Sequence, residues 1–282
     1  MNVVTSISGL RKARAALSSP FGLVPTMGAL HEGHLSLVRR ARAECDGVGV
    51  SIFVNPTQFG PDEDLSAYPR TLEADLTLLE SEGVDLVWTP TPEIVYPPGF
   101  QTYLTVEHVT KPLEGEHRPG HFRGVATVVA KLFNAFTPDR AYFGQKDAQQ
   151  VVVIKRMVED LNFPLQIVVC PTVREPDGLA LSSRNGYLNP EERRTATVLY
   201  RALSSARDAF EAGERDAGRL RARMSSTIAQ ELLAIEEYVS AADTETLAEL
   251  AWVHNGALLS LAVRIGETRL IDNVLLPEEH VG

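Results

Sequence analysis

The first 170 residues alternate between two hydrophobic patterns. Short runs rich in β-branched residues, such as GVGVSIFV at 47–54, are typical of strands buried on both faces. Between these runs, apolar residues recur every three or four positions, as they do along one face of an amphipathic helix. The patterns predict strands at 21–25, 47–54, 84–88, 141–144 and 165–170, and helices at 35–45, 72–79, 125–136 and 151–161. This alternating order predicts a doubly wound parallel sheet with right-handed crossovers.

The pattern changes after about residue 172. A loop rich in proline and glycine at 171–178 is followed by a long polar helix, which Asn189 and Pro190 are predicted to open. A second helix is predicted at about 215–233, and the tail at 257–276 alternates like two strands around a turn at 266–268. We therefore expect two domains, an α/β domain at 1–172 and a smaller α+β domain at 173–282.

The composition limits the kinds of molecule that the protein can bind. The chain has 282 residues and a formal net charge of −10, which disfavours nonspecific binding to nucleic acid or to an anionic membrane. No apolar run approaches the ~18 residues of a membrane span. The two cysteines, Cys45 and Cys170, lie far apart and fit no metal or redox spacing. A cytoplasmic protein is expected, and any phosphate ligand needs a local cluster of donors.

Ligands of doubly wound sheets bind at the carboxyl ends of the strands, so polar segments that follow strands are candidate sites. The first such segment, 25–34, contains Gly28, Gly33, His31 and His34 at the predicted start of a helix. Glycine permits close approach of the backbone, and the N–H groups of a helix N-terminus attract phosphate. Two surface histidines, a capping turn or a metal chelate are the alternatives, although no third metal ligand has a persuasive spacing.

Two further segments also follow predicted strands. Asn55 and Gln58 carry neutral amides that can orient a small polar ligand, or simply form a turn. Lys146 is a mobile point charge suited to phosphate. Asp147 can bind ribose hydroxyls or cap the next helix, and both roles are compatible.

The fourth segment lies where the two predicted domains meet. Ser182, Ser183 and Arg184 can clamp a polyphosphate, although a solvated loop is an equal alternative. The sequence contains neither a P-loop motif nor the Gly-x-Gly-x-x-Gly motif of dinucleotide sites. Phosphate donors are therefore dispersed over several strand ends of one predicted sheet.

Four motifs together resemble a known family. They are PTMGALHEGH at 25–34, FVNPTQF at 53–59, FGQKD at 143–147 and LSSRN at 181–185. The His-x-Gly-His element alone is shared by a superfamily of nucleotidyltransferases and class I synthetases. In this order and spacing, the four motifs resemble the pantoate–β-alanine ligases over nearly the whole chain. The resemblance implies a Rossmann-like nucleotidyltransferase fold with a smaller C-terminal α+β lid domain.

The resemblance also implies a reaction and its participants. The carboxylate of (R)-pantoate attacks the α-phosphorus of ATP and expels pyrophosphate, and the amine of β-alanine then displaces AMP from the pantoyl adenylate. Mg²⁺ is held mainly by the ATP phosphates, with Asp75 as the one protein candidate because Ala74 lacks a carboxylate. A homodimer is implied as well.

The site residues follow from the matching motifs. His31, His34, Lys146 and Arg184 are the implied catalytic residues, and His34 matches the usual proton donor. Gln58 is implied to bind pantoate and β-alanine, and Gln150 to bind pantoate. The implied ATP-binding residues are Met27, Gly28, Ala29, Leu30, His31, Glu32, Gly33, His34, Gly144, Gln145, Lys146, Asp147, Val173, Leu181, Ser182, Ser183 and Arg184.

Three other functional classes remain as alternatives. A nucleotidyltransferase would stop after nucleotidyl transfer and release a nucleotide-linked product. A class I aminoacyl-tRNA synthetase is disfavoured because the chain is acidic and lacks a basic RNA-binding region. A non-catalytic nucleotide-binding module would not require four donor segments at strand ends.

Overall fold

The computed structural model describes residues 1–61 and 63–278. The strands are β1 (Asn2–Val4), β2 (Phe21–Thr26), β3 (Gly47–Ile52), β4 (Leu86–Trp88), β5 (Arg140–Gly144), β6 (Gln166–Cys170), β7 (Ala234–Ala242), β8 (Asn255–Ile265) and β9 (Thr268–Glu278). The helices are α1 (Ile7–Ala15), α2 (Glu32–Glu44), α3 (Leu72–Ser81), α4 (Pro92–Val95), α5 (Glu114–His117), α6 (His121–Phe136), α7 (Ala148–Asp160), α8 (Pro190–Thr195), α9 (Val198–Glu211) and α10 (Ala217–Ile228).

The first six strands form one parallel sheet in the order β1-β4-β3-β2-β5-β6. This arrangement confirms the predicted doubly wound fold. The direction of winding reverses between β2 and β5, which is the switch point of the sheet. Every residue of β3 except Ile52 is buried, as expected for a central strand with helices on both faces of the sheet.

The sheet opens at this switch point. Pairing between β2 and β5 ends at Leu23 and Ala141, whereas β2 itself continues to Thr26. Pro25 lies in the part of β2 that pairs with β3 but not with β5, so its missing N–H removes no hydrogen bond to β5. The carboxyl ends of the two central strands are thereby left unpaired with each other, beside the loops that carry the candidate residues.

The chain separates into two compact units. The first comprises Met1–Gln145 and Val153–Pro171, and the second comprises Lys146–Val152 and, in its described part, 172–278. The second unit contains the antiparallel sheet β7-β8-β9. Helices α9 and α10 contribute Leu199, Leu203 and Leu220 to its hydrophobic core. Residues 279–282 of the predicted second domain lie outside the described part of the chain.

Several local predictions are corrected by the structure. The helix predicted at 215–233 ends at Ile228, and the strand β7 follows it. This strand was not predicted, because its first part is largely exposed and contains two glutamates, so it lacks a clear strand pattern. The long polar helix after Asn189 is two helices, α8 and α9, separated at 196–197. The short edge strand β1 and the helix α1 carried too weak a pattern to be predicted. Within the described residues, no helix has the length and apolar character needed to cross a bilayer.

Candidate active site

The loop between β2 and α2 has an unusual backbone that is held from a distant helix. Gly28 and Ala29 both have positive φ, +87° and +51°. The carboxylate of Asp75, in α3, accepts hydrogen bonds from the N–H of Ala29 at 3.0 Å and of Leu30 at 2.9 Å. The hydroxyl of Thr71 donates to the same carboxylate at 3.1 Å. Asp75 therefore fixes the left-handed turn from beneath the loop.

His31 and His34 come together at the start of α2. His31 is the N-cap, and its Nδ1 accepts a hydrogen bond from the N–H of Gly33 at 3.2 Å. Nδ1 of His34 accepts from the N–H of His31 at 3.3 Å, and the ring centroids are 4.1 Å apart. Because each Nδ1 is an acceptor, the proton of each neutral ring lies on Nε2. The histidines cap the helix through their Nδ1 atoms, and this arrangement is compatible with the predicted role of their Nε2–H groups as donors to phosphate.

The turn after β3 brings Gln58 to Met27. The side chain of Asn55, 1% exposed, donates to Oε1 of Gln58 at 3.1 Å. The amide of Gln58 in turn donates to Sδ of Met27 at 3.0 Å. Oδ1 of Asn55 accepts hydrogen bonds from the hydroxyls of Thr57 at 2.9 Å and Tyr96 at 2.8 Å. Two implied site residues from adjacent strands thus meet, and Asn55 sets the orientation of the Gln58 amide.

A second layer under Gln58 was not predicted. Nε2 of His121 accepts a hydrogen bond from Arg118 at 3.2 Å, so its Nδ1 carries the proton and donates to the carbonyl of Gln58 at 2.8 Å. Burial, with a further contribution from Arg118, lowers the pKa of His121 to about 4. Arg118 also pairs with Glu63 at 2.7 Å. A neutral imidazole and a paired guanidinium therefore support the Gln58 turn, and no motif in the sequence indicates them.

Helix α6 approaches this turn through a glycine. A Cβ at Gly124 would lie 2.3 Å from the carbonyl oxygen of Thr57, so no larger residue fits without moving the turn. Beside it, a pocket is lined by Thr57, Tyr103, His121 and Arg123, among others. The guanidinium of Arg123 stacks over the ring of Tyr103, 3.9 Å from its centroid. The lining also includes the paired Arg118 and Glu63, so the pocket is polar and carries both signs of charge, and it lies against Thr57, the chain neighbour of Gln58.

The segment after β5 is divided between the two units. Gly144 and Gln145 belong to the first unit, and Lys146 belongs to the second together with Asp147 and Gln150. Gln145–Asp147 form a 3₁₀ turn that leads into α7. Nζ of Lys146 lies 3.7 Å from a carboxylate oxygen of Asp147. Lys146 and Asp147 are therefore neighbours, whereas Gln150 lies further along the helix.

The serine-rich segment has a defined local structure within the second unit. Ser182 caps a 3₁₀ turn at Ser183–Tyr187, and its Oγ accepts a hydrogen bond from the N–H of Arg184 at 3.3 Å. The N–H of Leu181 donates to the carbonyl of Val173 at 3.0 Å, which brings these two implied ATP-binding residues together. The segment is thus a capped turn rather than an unstructured loop.

The side chains do not fit a protein-held metal. Within residues 1–61 and 63–278, no three His, Cys, Asp or Glu side chains are grouped to hold an ion. Asp75 is 2% exposed, and backbone N–H groups occupy both of its oxygens. Nδ1 of each of His31 and His34 is likewise an acceptor for a backbone N–H. Asp75 is arranged as a support for the loop rather than as a ligand of Mg²⁺.

The fold and the site together define a class. A doubly wound sheet whose central strand leads through a glycine loop into a histidine-capped helix is the arrangement of an α/β enzyme that handles nucleotide phosphates. Residues 2–275 match the model of the family described as pantoate-beta-alanine ligase. The chain belongs to this family, and it is a ligase.

Individual relatives agree with the family match. A pantothenate synthetase of Roseiflexus sp. (strain RS-1) is 65% identical over 276 residues, covering 98% of this chain and 99% of that protein. The crystal structure of pantothenate synthetase from Thermus thermophilus has 49% identity and a TM-score of 0.93, covering 97% of this chain and 99% of that one. Pantoate-beta-alanine ligase from Francisella tularensis, complexed with beta-gamma ATP and beta-alanine, has 37% identity and a TM-score of 0.80, covering 98% and 97%.

Proposed function

We propose that this ligase condenses (R)-pantoate with β-alanine in two steps driven by ATP. The observation that carries the proposal is the contact between Met27, in the loop of the paired histidines, and Gln58, on the neighbouring strand end. This contact joins an anion-attracting helix N-terminus to a neutral amide suited to a small hydroxy acid. The Francisella tularensis relative, whose structure is described as a complex with beta-gamma ATP and beta-alanine, supports the same pair of ligands.

In the first step a carboxylate oxygen of pantoate forms a bond to the α-phosphorus of ATP. The bond between that phosphorus and the bridging oxygen breaks, and pyrophosphate leaves with the electron pair. The protein positions the two reactants and neutralises negative charge as it develops. The Nε2–H groups of His31 and His34 donate to phosphate oxygens, and Nζ of Lys146 supplies a positive charge. The remaining triphosphate contacts are Ser182, Ser183 and Arg184.

In the second step the amine of β-alanine attacks the acyl carbon of the pantoyl adenylate. The bond from this carbon to the phosphate oxygen breaks, AMP departs, and the amine loses a proton. Gln58 and Gln150 hold the pantoyl group, and Gln58 also meets β-alanine. The adenosine contacts are Gly144, Gln145, Asp147 with ribose, and Val173 and Leu181 through their backbone.

The proposal extends to the ion, the location and the assembly. Mg²⁺ enters on the ATP phosphates and water, which agrees with the buried, fully engaged carboxylate of Asp75. The acidic chain acts in the cytoplasm on small molecules and binds neither nucleic acid nor membrane. It forms a homodimer, and sedimentation at equilibrium must give twice the mass of the 30.9 kDa chain for this part to stand.

The decisive experiment is a product assay with ATP, Mg²⁺, pantoate and β-alanine. We expect AMP and pyrophosphate in equal amounts with pantothenate. Omission of β-alanine should leave an enzyme-bound adenylate. ADP and phosphate would refute adenylation, and release of a free nucleotide-linked product would favour a nucleotidyltransferase instead.

A further inference from the structure

The second unit contains a link between the far end of the chain and the implied catalytic lysine. The side-chain amide of Asn273, in β9, donates a hydrogen bond to the backbone carbonyl of Lys146 at 2.8 Å, across a separation of 127 residues. We propose that Asn273 is a positioning residue that fixes the backbone of Lys146 for phosphate binding. This inference rests on the proposed role of Lys146 and adds a residue that none of the four motifs contains.

Asn273 is itself held firmly. It is 4% exposed, and its N–H donates to Oδ1 of Asp272 at 2.8 Å. Its carbonyl accepts a hydrogen bond from Nη2 of Arg174 at 3.2 Å. Arg174 in turn makes a bidentate pair with Asp272, at 2.6 and 2.9 Å. The backbone on both sides of the Asn273 side chain is therefore fixed by charged groups, so the amide is presented to Lys146 in one orientation.

The same network also attracts the positively charged ammonium group of Lys146. Asp272 is 3% exposed, and burial raises the pKa of its carboxyl group, while the positive charges of Arg174 and Lys146 oppose that rise. The ammonium of Lys146 thus lies within the field of Asp272 and 3.7 Å from Asp147. The network holds the lysine backbone through a hydrogen bond and attracts its ammonium group through two carboxylates.

A lysine needs such support more than a rigid group does. Its ammonium is a point charge on a flexible four-carbon stem, so its average position depends on where the backbone is held. Misplacement of a positioned group by about 1 Å can cost on the order of 100-fold in rate. If the Lys146 carbonyl loses its partner, the start of α7 gains freedom, and the charge spends less time at the phosphate.

The test is a double-mutant cycle on the full-length enzyme with two readouts, kcat/KM for ATP and the dissociation constant of ATP measured by calorimetry. We expect Asn273→Ala to lower kcat/KM for ATP about 10- to 100-fold and to weaken ATP binding. In the Lys146→Ala background, Asn273→Ala should change either quantity less than twofold, because its effect passes through the lysine. KM for β-alanine should stay unchanged.

Three further variants separate positioning from folding. Asn273→Leu has a similar volume but no donor, so it should match Asn273→Ala and replaces that variant if it unfolds, whereas Asn273→Gln retains an amide donor and should recover part of the ATP affinity. Asn255→Ala, at the exposed start of β8, is the control and should retain full activity.

Each remaining outcome overturns a distinct claim. Equal losses from Asn273→Ala with and without Lys146 would show that Asn273 acts through the fold and not through the lysine. Normal ATP kinetics in a folded Asn273→Ala variant would refute the positioning role. If Lys146→Ala were at the same time severely defective, the proposed function would still stand. Normal turnover of Lys146→Ala would remove the lysine from the proposed function, and the inference about Asn273 with it.

Discussion

Replacement of Asp75 by asparagine changes the support of the loop between β2 and α2 while it barely changes the shape of the side chain. The carboxylate accepts one hydrogen bond from the N–H of Ala29 and another from that of Leu30. An asparagine can accept at its oxygen, but its NH₂ group then faces a backbone donor. One hydrogen bond is lost, and a buried N–H is left without a partner in the loop.

The magnitude follows from these contacts. A hydrogen bond to a charged group contributes roughly 1.5–3 kcal/mol, and an unsatisfied buried donor costs about 1–3 kcal/mol. Because the loop can relax, we expect Asp75→Asn to lower the free energy of unfolding by about 2–4 kcal/mol. Ala29, at φ +51°, carries about 1 kcal/mol of backbone strain that these bonds offset. Ala29→Gly should therefore restore part of the ATP affinity that Asp75→Asn loses.

Two measurements check this reasoning, urea unfolding for stability and calorimetric titration for ATP affinity. Glu73→Gln, on the exposed side of the first turn of α3, is the matched control and should change neither quantity. An unchanged stability and ATP affinity in Asp75→Asn would refute the support role. Recovery of Asp75→Asn activity at high Mg²⁺ would show instead that Asp75 is a metal ligand.

Three other substitutions probe the remaining parts of the site. His34→Ala should lower kcat about 100- to 1000-fold with an unchanged circular dichroism spectrum, as loss of a donor to developing charge does; near-normal turnover would remove His34 from the chemistry. The pKa of His121 is about 4 in the folded protein and near 6.5 in the unfolded chain. Between pH 6.5 and 4 the unfolded chain therefore binds more protons, and the free energy of unfolding falls as the pH decreases through this range. From pH 7 to pH 4.5, the free energy of unfolding measured in urea should fall by about 2–3 kcal/mol more for the native protein than for His121→Gln. Equal decreases in the two proteins would contradict a buried, neutral imidazole at His121. Gly124→Ala should raise KM for pantoate more than KM for ATP, since its Cβ displaces the turn that carries Gln58; equal changes in both constants would argue against a local effect.

The parts of the molecule that could be predicted are those whose cause is local. The GVGVSI run predicts β3 because a strand buried on both faces needs apolar residues throughout. Asn189, Pro190 and the acids after them predict the start of α8, and the structure confirms that start and adds a capping box with Glu192. The strand β7 could not be predicted in this way, because the exposed residues Ile235 and Glu236 lie near its start and its fully buried residues come last.

The supports of the site could not be predicted, for a common physical reason. Asp75 reaches Ala29 across 46 residues, His121 reaches Gln58 across 63, and Asn273 reaches Lys146 across 127. Spacing in a sequence reports neighbours within a turn of helix or a strand pair, and it carries no signal for such distant contacts.

These three contacts share a design. In each, a buried or largely buried polar side chain fixes the backbone of a segment whose own side chains are implied to contact substrate. Asp75 binds two backbone N–H groups, whereas His121 and Asn273 each bind one backbone carbonyl. A hydrogen bond to backbone holds the segment without consuming the groups that must face the ligand. The loops thereby gain the rigidity that electrostatic stabilisation requires, because fixed donors need no reorganisation when charge develops. A change at a support should consequently alter binding and rate through geometry, even though the substituted side chain does not touch the reacting atoms.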